Sequence, residues 1–225
     1  MTQPATPPSI SAIFWDIDGT LMLTEELHFA TVTTYCQGQD IVLTEIDNAA
    51  MLGKTMPEKW HYLRDQYGIT DSREVFRNHC ADIYIARLET CELRSEPLKL
   101  MHTVADMALP QACVSNGDRR IVEANLERMG ITKLLNFALA SDSVAQGKPA
   151  PDPYLLACEK LDLSPASCLA VEDSPVGVAS AAEAGLTVVA WPDATSPFSG
   201  NDLARADYVI HTIEEFPLQL LEASQ

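Results

Sequence analysis

The chain has 225 residues, 47% of them hydrophobic and 21% charged, and a formal net charge of -17. The apolar share is enough for a real core and argues against intrinsic disorder. The acidic balance argues against nucleic acid or an anionic membrane as partner, because both need clustered Lys and Arg. An anionic small-molecule substrate would need positive charge supplied locally.

Residues 1–9 read as a short disordered tail, with neither the basic start nor the apolar segment of a signal peptide. No apolar stretch approaches the ~18–20 residues of a membrane span. The six cysteines, at 36, 80, 91, 113, 158 and 168, form no Cys-x-x-Cys pair, and several lie in apolar runs. They read as buried reduced thiols of a cytoplasmic protein.

The first strong element is Ile10-Ser11-Ala12-Ile13-Phe14-Trp15. It is short and nearly all apolar, as a strand buried on both faces should be, and Gly19 breaks the chain just beyond it. From about Thr24 to about Glu96 helical spacing takes over, with Leu27, Ala30 and Thr34, then Trp60 and Leu63, then Val75, Cys80, Ile83 and Leu88. Pro57 suits a helix start and Gly68 a helix end. After Pro97 strands and helices alternate. Strand 112–114, helix 119–129, strand 137–140 and helix 153–161 come first, with Asp152 expected as the N-cap of the last. Strand 168–171, an Ala-rich helix from Ser174-Pro175 to Gly185, strand 187–191 and a late strand 208–210 complete the set.

Such alternation predicts an α/β fold, a doubly wound parallel sheet with helices on both faces. The helical stretch between the first two strands is too long for a crossover and reads as an inserted domain above the strand ends. The expected division is a core of 10–22 and 97–225 and a helical cap of 23–96.

Four loops carry polar groups directly after apolar strands: Asp16-x-Asp18, Ser115-Asn116, Gly147-Lys148-Pro149 and Glu172-Asp173. In an open parallel sheet, ligands bind beyond the carboxyl ends of the strands. Singly, each loop has a plainer reading. Asp-x-Asp-Gly is a common turn, Ser115 could cap a helix, Lys148 could be a solvated loop charge, and Glu172 could accept hydrogen bonds near a helix start. Three carboxylates together are harder to dismiss, since they stay ionised only if a cation joins them. Few, hard oxygen ligands suit Mg2+.

Asp16-Ile17-Asp18-Gly19-Thr20-Leu21, Val114-Ser115-Asn116-Gly117, Gly147-Lys148-Pro149 and Val171-Glu172-Asp173-Ser174 resemble, in order and spacing, the four motifs of the haloacid-dehalogenase-like hydrolase superfamily. The helical insert is similar to the cap of the subgroup containing phosphoglycolate phosphatase and β-phosphoglucomutase. The resemblance implies a Rossmann-like core of strand order 3-2-1-4-5, with Ser115 and Asp173 on either side of Asp16.

It also implies roles. Asp16 would be the nucleophile and Asp18 the general acid and base. Ser115 and Asn116 would bind phosphoryl oxygens, and Lys148 would neutralise charge between nucleophile and phosphate. Magnesium would be held by Asp16, the carbonyl of Asp18 and Asp173, with Glu172 as a further ligand or a supporting partner. His28, Gly53 and Lys54 stand where related caps contact substrate. The implied activity is phosphatase action on a small phosphorylated metabolite by a monomer.

A mutase is the alternative, but Met56 and Cys80 stand where mutases carry Arg and Lys. Asp18 disfavours a dehalogenase. A non-catalytic phosphate-binding or receiver-like module is the alternative of another class. Ser95-Glu96-Pro97-Leu98 departs from the Pro-Gly pair usual before the second motif.

Overall fold

A computed structural model describes residues 10–51 and 54–222. The tail expected at 1–9 lies outside them, as does Gly53.

Among the described residues the sheet has six strands, all parallel, in the order β3-β2-β1-β4-β5-β6. These are β1 (Ala12–Trp15), β2 (Gln111–Val114), β3 (Phe137–Leu139), β4 (Cys168–Glu172), β5 (Thr187–Ala190) and β6 (Tyr208–Val209). The late strand is thus an edge strand that extends the implied five-strand order. Successive side chains of a strand point to opposite faces, and β1 shows it. Ile13 and Trp15 join the apolar cluster on one face, while Ala12 and Phe14 join the cluster on the other. Helices α5 (Ser95–Asp106), α6 (Arg119–Met129) and α9 (Gln219–Glu222) cover the first face. Helices α7 (Asp152–Leu161) and α8 (Pro175–Ala184) cover the second.

Between β1 and β2 run α1 (Glu25–Gln37), α2 (Glu45–Met51), α3 (Met56–Tyr67) and α4 (Arg73–Arg87). They have an apolar cluster of their own, including Val32, Tyr35, Leu63, Phe76 and Cys80. The end of α4 leaves it: Ala81 and Tyr84 pack into the cluster of the sheet. Pro57 lies in the first turn of α3, and Gly68 ends that helix at φ 68°. Val75 departs from the predicted stripe. It is 49% exposed, and Phe76 takes the inward position.

Two crossings join the helical insert to the sheet. Leu23 N–H donates to the Glu92 carbonyl at 2.9 Å, and Arg94 N–H donates to that of Leu21 at 2.9 Å. Arg94 then donates through its guanidinium to the carbonyls of Gly19 and Trp191, both at 2.7 Å. All six cysteines are free and buried, and among the described residues no helix is long and apolar enough to cross a membrane.

Candidate active site

Because β1 lies between β2 and β4, the loops after these three strands open side by side. Asp16 follows β1, Ser115 follows β2, and Glu172 and Asp173 stand at the end of β4. Oxygens of Asp16, Glu172 and Asp173 come within 4.8 Å of one another. Gly19, at φ +85°, lets the loop turn here, and a Cβ on it would collide with the Asp173 carboxylate.

Lys148 is no solvated loop charge. It is buried, and its Nζ donates to Asp16 Oδ1 at 2.6 Å, Glu172 Oε1 at 2.6 Å and the Val114 carbonyl at 2.7 Å. All three ammonium donors are therefore placed. Asn116 holds the loop that carries it. Its Oδ1 accepts from Lys148 N–H at 2.8 Å and its Nδ2 donates to the Lys148 carbonyl at 2.9 Å. The Asn116 side chain is thus committed to the protein.

Asp18 accepts from Thr24 Oγ1 at 2.8 Å and contacts His28 Nε2 at 3.2 Å, both through Oδ1, and Ser115 Oγ donates to its Oδ2 at 3.2 Å. Ser115 is not the cap of α6; that role falls to Asp118, which accepts from Arg120 N–H. Nor is Asp152 the N-cap of α7. Pro151 holds that position and Asp152 lies in the first turn.

The electrostatics separate the carboxylates. Burial pushes Asp18 up, but the hydrogen bond and charge of His28, with the bonds from Thr24 and Ser115, hold it below the ordinary range. Burial raises Asp16 well above that range, with Lys148 opposing. Burial, then the charge of Glu172, pushes Asp173 up to about 8. Burial would lower Lys148, but Asp16 and Glu172 keep it protonated.

This donor set fits a hard divalent cation. Carboxylates held this close and this dry repel until positive charge joins them. Glu172 stands slightly apart. Its Oε1 accepts from Lys148 and from Tyr154 OH, and its buried Oε2 has no hydrogen-bond partner among the described residues. That oxygen lies where a Cβ on Gly177 would be.

Of the expected cap contacts, His28 reaches the site through Asp18. Lys54 is exposed, and its side chain makes no hydrogen bond or ion pair among the described residues. Gly53 lies outside the described residues. Sequence reasoning missed Thr24, Tyr154, Arg94 and Lys59. Lys59, on α3, is half-buried, and burial lowers its ammonium while the charges of Glu25, Cys80 and Asp18 act on it. Thr24 and Arg94 stand just before helices and Tyr154 and Lys59 within them, and neither position singles a residue out.

A sequence model of haloacid dehalogenase-like hydrolases matches residues 10–185. The protein CbbY of Rhodobacter capsulatus is 32% identical over 89% of this chain and 92% of its own length. Validoxylamine A 7'-phosphate phosphatase of Streptomyces hygroscopicus subsp. limoneus is 31% identical over 52% of this chain, a match that spans 54% of that relative. Among solved structures, CbbY from Rhodobacter sphaeroides in complex with phosphate superposes with a TM-score of 0.82 at 25% identity. That match covers 95% of this chain and 99% of CbbY.

Proposed function

The chain belongs to the haloacid dehalogenase-like hydrolase family and is a phosphoric monoester hydrolase, and from that premise we propose that it is a magnesium-dependent phosphatase of a small phosphorylated sugar or similar phosphomonoester. The observation that carries this reading is the placement of Lys148. One buried ammonium holds the Asp16 carboxylate at the mouth of three strand-end loops.

Asp16 is the nucleophile. Its Oδ1 is held by Lys148, and its Oδ2 accepts no hydrogen bond among the described residues. In the first half-reaction an Asp16 oxygen bonds to phosphorus, the bond from phosphorus to the leaving oxygen breaks, and Asp18 gives that oxygen a proton. In the second, Asp18 takes a proton from water, which attacks phosphorus and releases Asp16 and inorganic phosphate. As placed, with three polar partners and a lowered pKa, Asp18 is ready for the second role. The first role requires that it receive a proton. Ser115 Oγ and the Asn116 N–H bind phosphoryl oxygens, and Lys148 offsets their charge. Asp16, Asp173 and the Asp18 carbonyl would hold magnesium, with Glu172 beside them, and the bound ion would neutralise further phosphoryl charge.

Residues 23–96 act as the cap and 10–22 with 97–225 as the catalytic core. His28 and Lys54 contact the substrate from the cap, Gly53 lies outside the described residues, and the half-buried Lys59, on which the charge of Asp18 acts, adds positive charge to the cap. A sugar phosphate is supported by the hexitol phosphatase A of Escherichia coli and the phosphorylated carbohydrates phosphatase of Thermotoga maritima among the relatives. Mutase action is disfavoured because Cys80 is closed into the apolar cluster of the insert.

Initial rates against a panel of sugar and polyol phosphates test the reading. Phosphate release is expected with magnesium and none with EDTA. Full activity without metal would overturn the metal role, and isomerisation of a sugar phosphate without net phosphate release would favour the mutase.

A further inference from the structure

Asp18 is held from the insert by His28, yet His28 lies on a half-exposed helical face with two free side-chain torsions. Something must keep its ring turned towards the carboxylate. The His28 ring lies against the ring of Tyr84, with centroids 4.8 Å apart and planes at 35°. Tyr84 is completely buried on α4, and its hydroxyl donates to Asn125 Oδ1 at 3.1 Å. Asn125 is completely buried too, on α6. These four residues form one contiguous path from a helix of the sheet layer, through two helices of the insert, to the loop after β1.

Packing alone does not account for the two inner members. A buried hydroxyl and a buried amide each lose hydration, and a Phe and a Leu would fill the same space without that loss. Asn125 stands here even though its Nδ2 has no hydrogen-bond partner among the described residues, an arrangement that costs stability. What the pair provides is direction. The hydrogen bond fixes where the Tyr84 ring sits, and the ring fixes the plane of the imidazole.

We propose that Tyr84 and Asn125 are positioning residues for the acid–base step, acting on Asp18 through His28. The inference rests on the reading of Asp18 as the acid–base group. Neither residue touches substrate. They convert the seating of α4 on α6 into the orientation of a group on the catalytic loop. An insert seated off α6 would let the His28 ring turn and leave Asp18 held by Thr24 and Ser115 alone.

Leaving-group dependence tests this, because a merely structural role would not move it. An alkyl phosphate needs its leaving oxygen protonated, and p-nitrophenyl phosphate hardly does. Tyr84→Leu should lower kcat/KM, which reports the first half-reaction alone, by about tenfold for a sugar phosphate, and Tyr84→Phe and Asn125→Leu by less. The same variants should lose less than about twofold in kcat/KM on p-nitrophenyl phosphate. In a His28→Ala background, Tyr84→Phe should have no further effect, because the residue it orients is gone. Equal losses on both substrates, or effects that simply add to that of His28→Ala, would overturn the proposal. Tyr84→Phe keeps the ring and the fold if Tyr84→Leu does not. Asp18→Asn separates the two levels. If it shows no leaving-group dependence, the acid–base reading fails, while the coupling between Tyr84 and His28 still reports on the path itself.

Discussion

In the sheet layer, Asp16, Glu172 and Asp173 crowd together with one lysine among them, and burial drives Asp16 and Asp173 above the ordinary carboxylate range. In the insert, Asp47 is buried as well, and its pKa moves the other way. It accepts from Thr44 N–H at 2.7 Å and Thr44 Oγ1 at 2.6 Å, and from the hydroxyls of Tyr62 at 2.7 Å and Tyr67 at 2.6 Å. Four donors hold one carboxylate, and with them α2 is tied to α3. The difference lies in hydrogen-bond donors as well as in depth: burial is the largest cause acting on Asp16 and Asp173 and the smallest acting on Asp47, where the four donors prevail. A carboxylate given all its partners is a structural joint. Carboxylates packed together with too few partners form a site poised for a cation and an electrophile.

The largest break in this comparison comes from Asp16→Asn. The change keeps size and leaves an oxygen for Lys148, so the sheet should form. It also relieves some crowding among the acids, so thermal stability without metal should be unchanged or higher. Turnover should fall by at least about 1,000-fold, because no other nucleophile stands at the end of β1. Steady-state rates and a thermal melt check both halves, and near wild-type turnover would remove Asp16 from the mechanism.

A second test uses pH. Asp173 titrates near 3.9 in an unfolded chain and at about 8 here. Between those values the folded protein keeps a proton that the unfolded chain has lost, so stability without metal should fall as pH rises through that window. Asp16 shifts in the same direction. Magnesium binds the ionised forms, so the stabilisation it adds should grow from pH 5 to pH 8. Melting temperatures in EDTA and in magnesium across that range give the answer. A metal effect independent of pH would mean that these carboxylates are not its ligands.

Much of this was legible in the chain itself, and unevenly so. Strand 168–171 and helix 119–129 read well because burial on both faces and a clear helical stripe are local patterns. Asp16, Ser115, Lys148 and Asp173 stood out because each directly follows an apolar strand or a proline-marked loop. Lys148 shows where that reading stops. Its burial depends on Val114 and Glu172, far away in sequence, and no local pattern reports a lysine closed in by distant groups. Thr24, Tyr84 and Asn125 are helix or near-helix residues of ordinary type, and only the packing of α4 on α6 gives them a direction. Val75 and Phe76 were both apolar candidates for one stripe, and the phase of α4 chose the second.

The smallest effect on activity, and the sharpest on the comparison, comes from Asp47→Asn. Asn keeps the shape but removes the charge that strengthens four hydrogen bonds, and its amide nitrogen meets donors where an oxygen accepted them. The loss should be on the order of 1–3 kcal/mol of stability, with kcat changed less than about twofold because Asp47 is remote from the chemistry. The sign with pH is opposite to that of Asp173. A lowered pKa contributes stability that is fully present above the unfolded value of about 3.9 and is lost as pH falls towards the folded value. The variant should therefore be weaker than the parent at pH 7, and the gap should close as both are taken into acid below about pH 4. Chemical denaturation of both proteins at several pH values measures that gap. A gap constant with pH would mean that the four donors do not favour the ionised carboxylate, and the contrast between the two buried acids would then come from burial alone.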